Sequence, residues 1–442
     1  MIMDALKQYI ELYNEVRDRL GDGLVDRERA LKALEGFAGV KDGEADELFG
    51  PDYGVNVDRV RFGADLAATF RCGVPNISTL LGLVVNDSFA ATDTLRNQLP
   101  EGVTVCSLRD APADIRGKYL DGLAGCRTAA AALNSLLLQD GVLVHVAAGV
   151  RLERPVQLVN LFTAPMPMLC TRRIVFVAED NSSARLIVCD HSQRTDTAML
   201  ANEVVEIYCG EGASAEFYTI DETSPQAKRC RSLFVRQATA SQLHTATLVL
   251  SGGVAVDRWD IDACGDHTDT EMAGLVIGDG LQQTSTHVHL THRGTDGRSR
   301  QLFKYALDGE SRGTFDGRIV VAHGAVRTDA LQTNRNLLSG DKSRMTAAPQ
   351  LEIYCDDVRC SHGATTGQLD AAALFYMQTR GIPEQEARQM LTQAFMTDVI
   401  DTVTYPLVRD RLRALVERRL GGHGAYCADC HRNDGQCDDN DA

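Results

Sequence analysis

Cys360 and His362 stand two residues apart at the end of the run QLEIYCDDVRCSHG (350–363), and both side chains can donate a lone pair to a metal. If the chain stays extended there, residues two apart project from one face. A thiol and an imidazole side by side suit a soft or borderline metal. The bland alternative for His362 is a satisfied surface or turn histidine. A second set lies at the carboxyl end, where Cys427-x-x-Cys430 is followed by His431 and Cys437. Three thiols and an imidazole could complete a four-ligand zinc or iron–sulfur site; an Asp-rich tail with incidental thiols is the competing reading. Asp356 and Asp357 are adjacent, so in a strand or turn their carboxylates point apart and make no acid–base pair. Cys72, Cys106, Cys126, Cys170, Cys189, Cys209, Cys230, Cys264 and Cys355 are expected to be small buried hydrophobes.

Composition narrows the chemistry further. The 442 residues hold 61 acidic and 45 basic side chains, a net charge of −16, which argues against a sequence-independent grip on nucleic acid. No apolar run is long enough to span a bilayer. The start, MIMDALKQYIELYNEVRD, alternates charged and apolar residues and is not expected to be a signal peptide, so the expected compartment is the cytoplasm. Gly340-Asp341-Lys342-Ser343 lacks the spacing of a phosphate-binding loop, so the chain is not expected to hydrolyse ATP.

The elements that would position these groups fall into three textures and a tail. Residues 1–140 read as a mixed, largely helical region: Leu6, Ile10, Tyr13, Val16 and Leu20 make an amphipathic stripe. A short helix is expected over 29–37, a strand over 102–107 and one helix over 116–138. Residues 141–370 are a succession of short β-type runs, among them VLVHV (142–146), RIVFVA (173–178) and VVEIYC (204–209), separated by Gly, Asp, Asn and Ser clusters. Such a span fits a sandwich, barrel, propeller or solenoid. Runs such as NSSARLIV and GASAEFYTI share a turn-then-strand form, as solenoid coils would, but the period is irregular. Gln350–Cys360 is expected to be one strand, followed after Gly363 by a Thr/Gly turn. A solenoid needs its open ends covered, and the flanking helical regions are expected to cap them. Residues 371–421 are helical again: Asp370 can N-cap the first helix, Gly381 ends it, and Pro383 and Pro406 begin two more. Met390, Leu391, Ala394, Phe395, Val399 and Ile400 are expected along one apolar stripe. Arg409, Arg411, Arg413, Arg418 and Arg419 share the other face of the last helix, which is either solvated or docks an acidic partner. Residues 422–442 form the Cys/His/Asp-rich tail.

The runs TNRNLLSGD (333–341), PQLEIYCDDVRCSHGATTGQLD (349–370) and LFYMQTRGI (374–382) resemble the SufB/SufD family of the Suf iron–sulfur cluster assembly machinery. ALNSLLLQDGVLVHVAAGVRLERPVQLVN (132–160) looks like the entry to that family's β-helix. The resemblance implies a mainly β fold, a right-handed parallel β-helix flanked by N-terminal mixed or helical and C-terminal helical regions. The SufB branch is expected to carry a cysteine in a GDKCGAHT-like run. The matching run here is GDKSRMTA (340–347), so Ser343 stands at that position and the chain reads as the SufD branch.

As partners the resemblance implies a SufB-like subunit in a heterodimer, the ATPase SufC, and a sulfur-donor system acting through SufB. It leaves a homodimer open for the isolated chain. The function it implies is a non-catalytic scaffold that supports iron acquisition and cluster assembly, with iron or a transient iron–sulfur cluster held at the heterodimer interface. His362 is the candidate ligand there, with Cys360 second; neutral imidazole is available because its ordinary pKa is about 6.5. Glu384, Glu386, Arg409 and Arg413 fall in the helices expected to dock the ATPase. Two other readings remain: a β-helix polysaccharide lyase or hydrolase, which needs carboxylates and bases clustered in a groove, and a SufB-like homodimeric scaffold.

Overall fold

The computed structural model describes residues 5–20, 23–38, 48–50, 53–57, 79–193 and 196–421. Among the described residues, twenty strands form two ten-stranded sheets. The first sheet holds β1 (Gly54–Val55), β4 (Val103–Ser107), β5 (Val142–Val146), β7 (Met168–Ala178), β9 (Met199–Cys209), β11 (Ala227–Gln237), β13 (Val254–Ala263), β15 (Gln283–His292), β17 (Arg312–Val321) and β19 (Arg344–Ile353). The second holds β2 (Leu80–Val85), β3 (Ser88–Ala91), β6 (Val156–Phe162), β8 (Ser183–Ser192), β10 (Ser214–Glu222), β12 (Gln242–Val249), β14 (Asp269–Gly278), β16 (Arg298–Leu307), β18 (Thr328–Leu338) and β20 (Val358–Gly367). From β5 onward the chain alternates between the sheets, and each strand pairs in parallel with the strand two further on. This is a parallel β-solenoid of about seven turns.

One corner shows why the sequence winds this way without a strict repeat. Gly149, Asn181, Gly212, Ala240, His267, Asp296 and Arg327 all have φ between 55° and 74°. Each donates its N–H to a carbonyl of the next coil, as Asn181 does to Glu211 and Arg327 to Asp357. These residues recur every 27 to 32 positions, so the corner is repeated while the coil length drifts. Only some corners are Gly or Asn, the residues that tolerate a left-handed backbone most easily, which leaves the motif faint in the sequence.

Alternate side chains fill the coil. Val144, Phe176, Ile207, Val235, Ile261 and Leu290 belong to one continuous interior core. The opposite rows face outward, and in the middle coils they too are apolar. On the first sheet Leu169, Leu200, Cys230 and Val256 pack against α1 (Ala5–Val16), α2 (Arg27–Phe37) and, beyond α3 (Asp93–Gln98) and α4 (Ala113–Tyr119), α5 (Ala129–Leu137). On the second, Ile187, Tyr218, Ala246, Leu248 and Leu275 pack against two helices that follow α6 (Ala371–Thr379), namely α7 (Glu384–Asp401) and α8 (Pro406–Leu420). Helices α1, α2, α5, α7 and α8 therefore cover the faces of the solenoid, and of the two expected end caps only the N-terminal one forms, from β3, β4 and α3. The faces are covered because their outward rows are apolar and would otherwise meet water.

Five further expectations are corrected. The single helix over 116–138 is broken between Tyr119 and Ala129, because the buried Glu206 carboxylate accepts the N–H groups of Asp121, Leu123 and Ala124. The strand over 350–360 is two strands in different sheets, with the corner between Ile353 and Val358, and Thr365–Gly367 continues β20 rather than turning. In α7 the buried positions are Ala387, Thr392, Met396, Val399 and Ile400, while Met390 and Ala394 are exposed. In α8 the arginines turn largely inward: Arg411 is buried, Arg418 pairs with Glu222 at 3.2 Å, and Arg419 reaches the Leu250 carbonyl and Asp279. Of the cysteines expected in the core, Cys106, Cys264 and Cys355 are only half-buried and Cys72 lies outside the described residues.

Candidate functional site

The two ends of the solenoid differ. At the first end the antiparallel strands β3 and β4 terminate the sheets, and Leu95 of α3 is fully buried against the core. At the other end β19 and β20 are the last rungs, each paired on one side only. Every residue of both strands is exposed or half-buried. Beyond them α6 has no buried residue, and Phe375 and Tyr376 are 67% and 58% exposed. Two parallel strand edges with free N–H and C=O groups are what a partner strand or covering element would satisfy.

His362 and Cys360 sit on this open rung, on the face that continues the solenoid interior. In register, Cys360 lies beside Ala330, His362 beside Gln332, Ala364 beside Asn334 and Thr366 beside Asn336. All four partners are buried. The expectation of a Cys/His pair on one face is therefore met by β20. His362 is exposed and makes no hydrogen bond or ion pair among the described residues. Cys360 is half-buried against Ile319, Val321, Ala325 and Ala330, and burial pushes its thiol pKa up. Ser343 is buried, its hydroxyl donating to the Gly340 carbonyl at 2.7 Å inside the turn before β19.

No set of three or more Cys, His, Asp or Glu side chains converges on a metal position among the described residues. The open end thus offers at most part of a coordination sphere. Cys427, Cys430, His431 and Cys437 lie outside the described residues.

The four candidate docking residues are spread over the helical pair. Glu384 is tied to Arg388 one turn on, Glu386 is exposed, and Arg413 bridges Asp401 and Asp410 at 2.6 and 3.2 Å. Arg409 is half-buried. Asp260, Asp262 and Asp269 each pair with an arginine, Arg127, Arg293 and Arg298.

A charged cluster inside the early coils was not expected. Arg172, Arg229 and Arg231 meet Asp190, Glu203, Asp221 and Asp257 in the interior, all with side chains at most 3% exposed. Arg229 takes Asp221 at 2.7 Å and both oxygens of Asp257, and Arg231 bridges Glu203 and Asp190. Burial raises the Asp190 carboxyl, but Arg231, Arg172 and Arg229 outweigh it and hold it below the usual carboxylate range. At Asp221 burial wins and the pKa rises. The one available clue was alternation: Arg229 and Arg231 share a row with the interior residues Leu233 and Val235.

A solenoid closed at one end, clad on both faces and open at the other defines a scaffold built to be completed. Residues 162–395 match the SufBD core domain of the SUF system for iron–sulfur cluster assembly, and residues 3–158 match the SufBD N-terminal region. The chain belongs to the SufBD family of iron–sulfur cluster assembly proteins. It is 27% identical over 366 residues to a SufBD family protein of Synechocystis, covering 80% of this chain and 81% of that one. It is 34% identical over 190 residues to SufD of Escherichia coli, covering 43% and 44%, and 26% identical over 315 residues to SufD of Bacillus subtilis, covering 70% and 71%. Among the described residues no helix is long and apolar enough to cross a membrane.

Proposed function

We infer that this chain is the SufD-type, non-catalytic scaffold of a cytoplasmic cluster assembly complex. It pairs through β19 and β20 with a SufB-like subunit and docks the SufC ATPase on α7 and α8. The observation that carries this reading is the uncovered terminal rung bearing His362. Iron or a nascent cluster, the cargo of the complex, is held there between His362, with Cys360 beside it, and a thiolate from the partner. Sulfur arrives through the partner. Ser343, committed to its turn, supplies no thiolate, which favours the SufD role over the SufB role. ATP turnover by the docked subunit would open and close the buried interface.

The test is His362→Ala in the co-expressed complex. The complex is expected to purify intact with cluster formation abolished. Wild-type cluster yield would remove His362 from the mechanism. Reversal of charge at Glu384 and Arg413 is expected to reduce co-purification of the ATPase, and unchanged recovery would move the docking surface elsewhere.

A further inference from the structure

The interior column that ends at His362 changes character along the solenoid. Read rung by rung it runs Val156, Leu186, Phe217, Thr245, Met272, Gln301, Gln332, His362. The early coils fill this column with apolar groups, and the last two before the open rung fill it with amides. An amide costs more to bury than a methionine of similar size unless its hydrogen bonds are met. Gln332 is fully buried and donates Nε2 to Gln301 Oε1 at 2.8 Å. Its Oε1 is buried and accepts no hydrogen bond among the described residues.

The facing sheet is built around this amide. Gly317 on β17 lies opposite, and a Cβ there would come within 2.3 Å of Gln332 Nε2. The glycine leaves room for Gln332 to lie across the interior, and the bond to Gln301 fixes one edge of the amide. Successive rungs are about 4.8 Å apart, so side chains in one column touch, as the two glutamines do. The next group in the column is the His362 ring, which also has no hydrogen-bond or ion-pair partner among the described residues.

We propose that Gln332 is the positioning residue for His362: its Oε1 accepts the ring N–H that faces the interior and turns the other nitrogen outward as the ligand. Ligating histidines ordinarily donate their second ring N–H to such an acceptor, which fixes the tautomer and raises the basicity of the ligating nitrogen. The ligand part of this proposal rests on the function inferred above; the Gln332–His362 contact does not.

The experiment uses the full chain labelled with 15N-histidine, the His362 signals being assigned by their loss in His362→Ala. The variants are Gln332→Met and Gln332→Glu. Methionine already occupies this column two rungs earlier, at Met272, so Gln332→Met is expected to fold. Wild type is expected to show one dominant His362 tautomer. Gln332→Met should give a mixture, and Gln332→Glu, which keeps an acceptor, should restore the single form. In the co-purified complex, Fe(II) loading is expected to fall about ten- to a hundredfold in Gln332→Met and to recover in Gln332→Glu. An unchanged tautomer in Gln332→Met overturns the contact whatever iron does. A shifted tautomer with unchanged Fe(II) loading upholds the contact and overturns the ligand role of His362.

Discussion

Replacing Arg231 with methionine tests whether the interior charges of the early coils act as one unit. Arg231 gives Nε to Glu203 and Nη2 to Asp190 at 2.6 Å, and its Nη1 lies 3.8 Å from Asp257. The native cluster sets three guanidinium groups, Arg172, Arg229 and Arg231, against four carboxylates, Asp190, Glu203, Asp221 and Asp257. In Arg231→Met two face four. Asp190 keeps Arg172 and Asn160, but Glu203 keeps only the Asn160 amide at 3.3 Å. Removing one partner of a buried ion pair costs about 3–5 kcal/mol, because the other charge is left in a medium that cannot solvate it. The double variant Arg231→Met/Glu203→Gln returns the surplus to one carboxylate and is expected to recover most of that loss. Urea unfolding followed by fluorescence suits the question, since Trp259 is the single tryptophan and is buried in the same core. A loss below about 1 kcal/mol in Arg231→Met, or no recovery in the double variant, would refute the reasoning.

His292 is buried, its Nε2 sits 2.9 Å from Ser299 Oγ, and burial pushes its pKa down to about 4. The unfolded chain takes up this proton near pH 6.5, so the stability is complete above that pH and is lost as pH falls toward 4, at about 1.4 kcal/mol per unit and about 3 kcal/mol in all. His292→Asn should therefore flatten the acid side of the stability profile, and an unchanged slope between pH 6.5 and 5 would count against it. Gly317→Ala places a Cβ 2.3 Å from Gln332 Nε2 and 2.8 Å from Phe315 Cζ, and is expected to lower stability by about 1–3 kcal/mol. Gln332→Ala in the same chain should relieve part of that cost, and a strictly additive loss would mean the two residues do not oppose each other. If Cys427, Cys430, His431 and Cys437 hold a metal, truncation after Gly421 should remove one equivalent of zinc or iron from the purified chain; identical metal content would leave the tail without that role.

The parts of the fold legible in the sequence were those rich in apolar residues, on one face of a helix or on both rows of a strand. The stripe of Leu6, Tyr13 and Val16 gave α1, and runs such as VVEIYC gave the middle strands. The late strands were harder, because Gln283–His292 presents Gln283, Ser285, His287 and His289 outward and Thr284 and Thr286 inward. Little in such a row separates it from a loop until neighbouring rungs supply the hydrogen bonds. The corner at Tyr354–Asp357 was hidden for a related reason, since Glu352 to Asp357 alternates well enough to read as continuous strand. Arg229 and Arg231 were invisible as interior residues because buried charge depends on partners that come from four other strands. The Cys360/His362 pair was legible because it needs only a two-residue repeat, whereas Gln332 lies 30 residues away and joins the site only through the register of β18 with β20.

If α7 and α8 dock the ATPase as proposed above, their position bears on how the open end would respond. Helices α7 and α8 are bound to the solenoid by charged contacts as well as by packing. Lys304 on β16, with a side chain 2% exposed, donates to the Phe395 carbonyl and to Asp398, both at 2.6 Å. Arg418 and Arg419 tie α8 to β10, to the Leu250 carbonyl after β12 and to Asp279 after β14. The attachments therefore end at β16, and β18 and β20 lie beyond the last of them. A displacement of α7 acts first on the rung that carries Gln301, the residue holding Gln332 by its amide. The stretch from β16 to β20 is the least clad part of the solenoid, and it contains the whole Gln301–Gln332–His362 column. Rigid attachment next to an unclad terminal segment is the arrangement that lets a pull on the helices alter the end rung while the early coils, locked by their ion cluster, stay fixed.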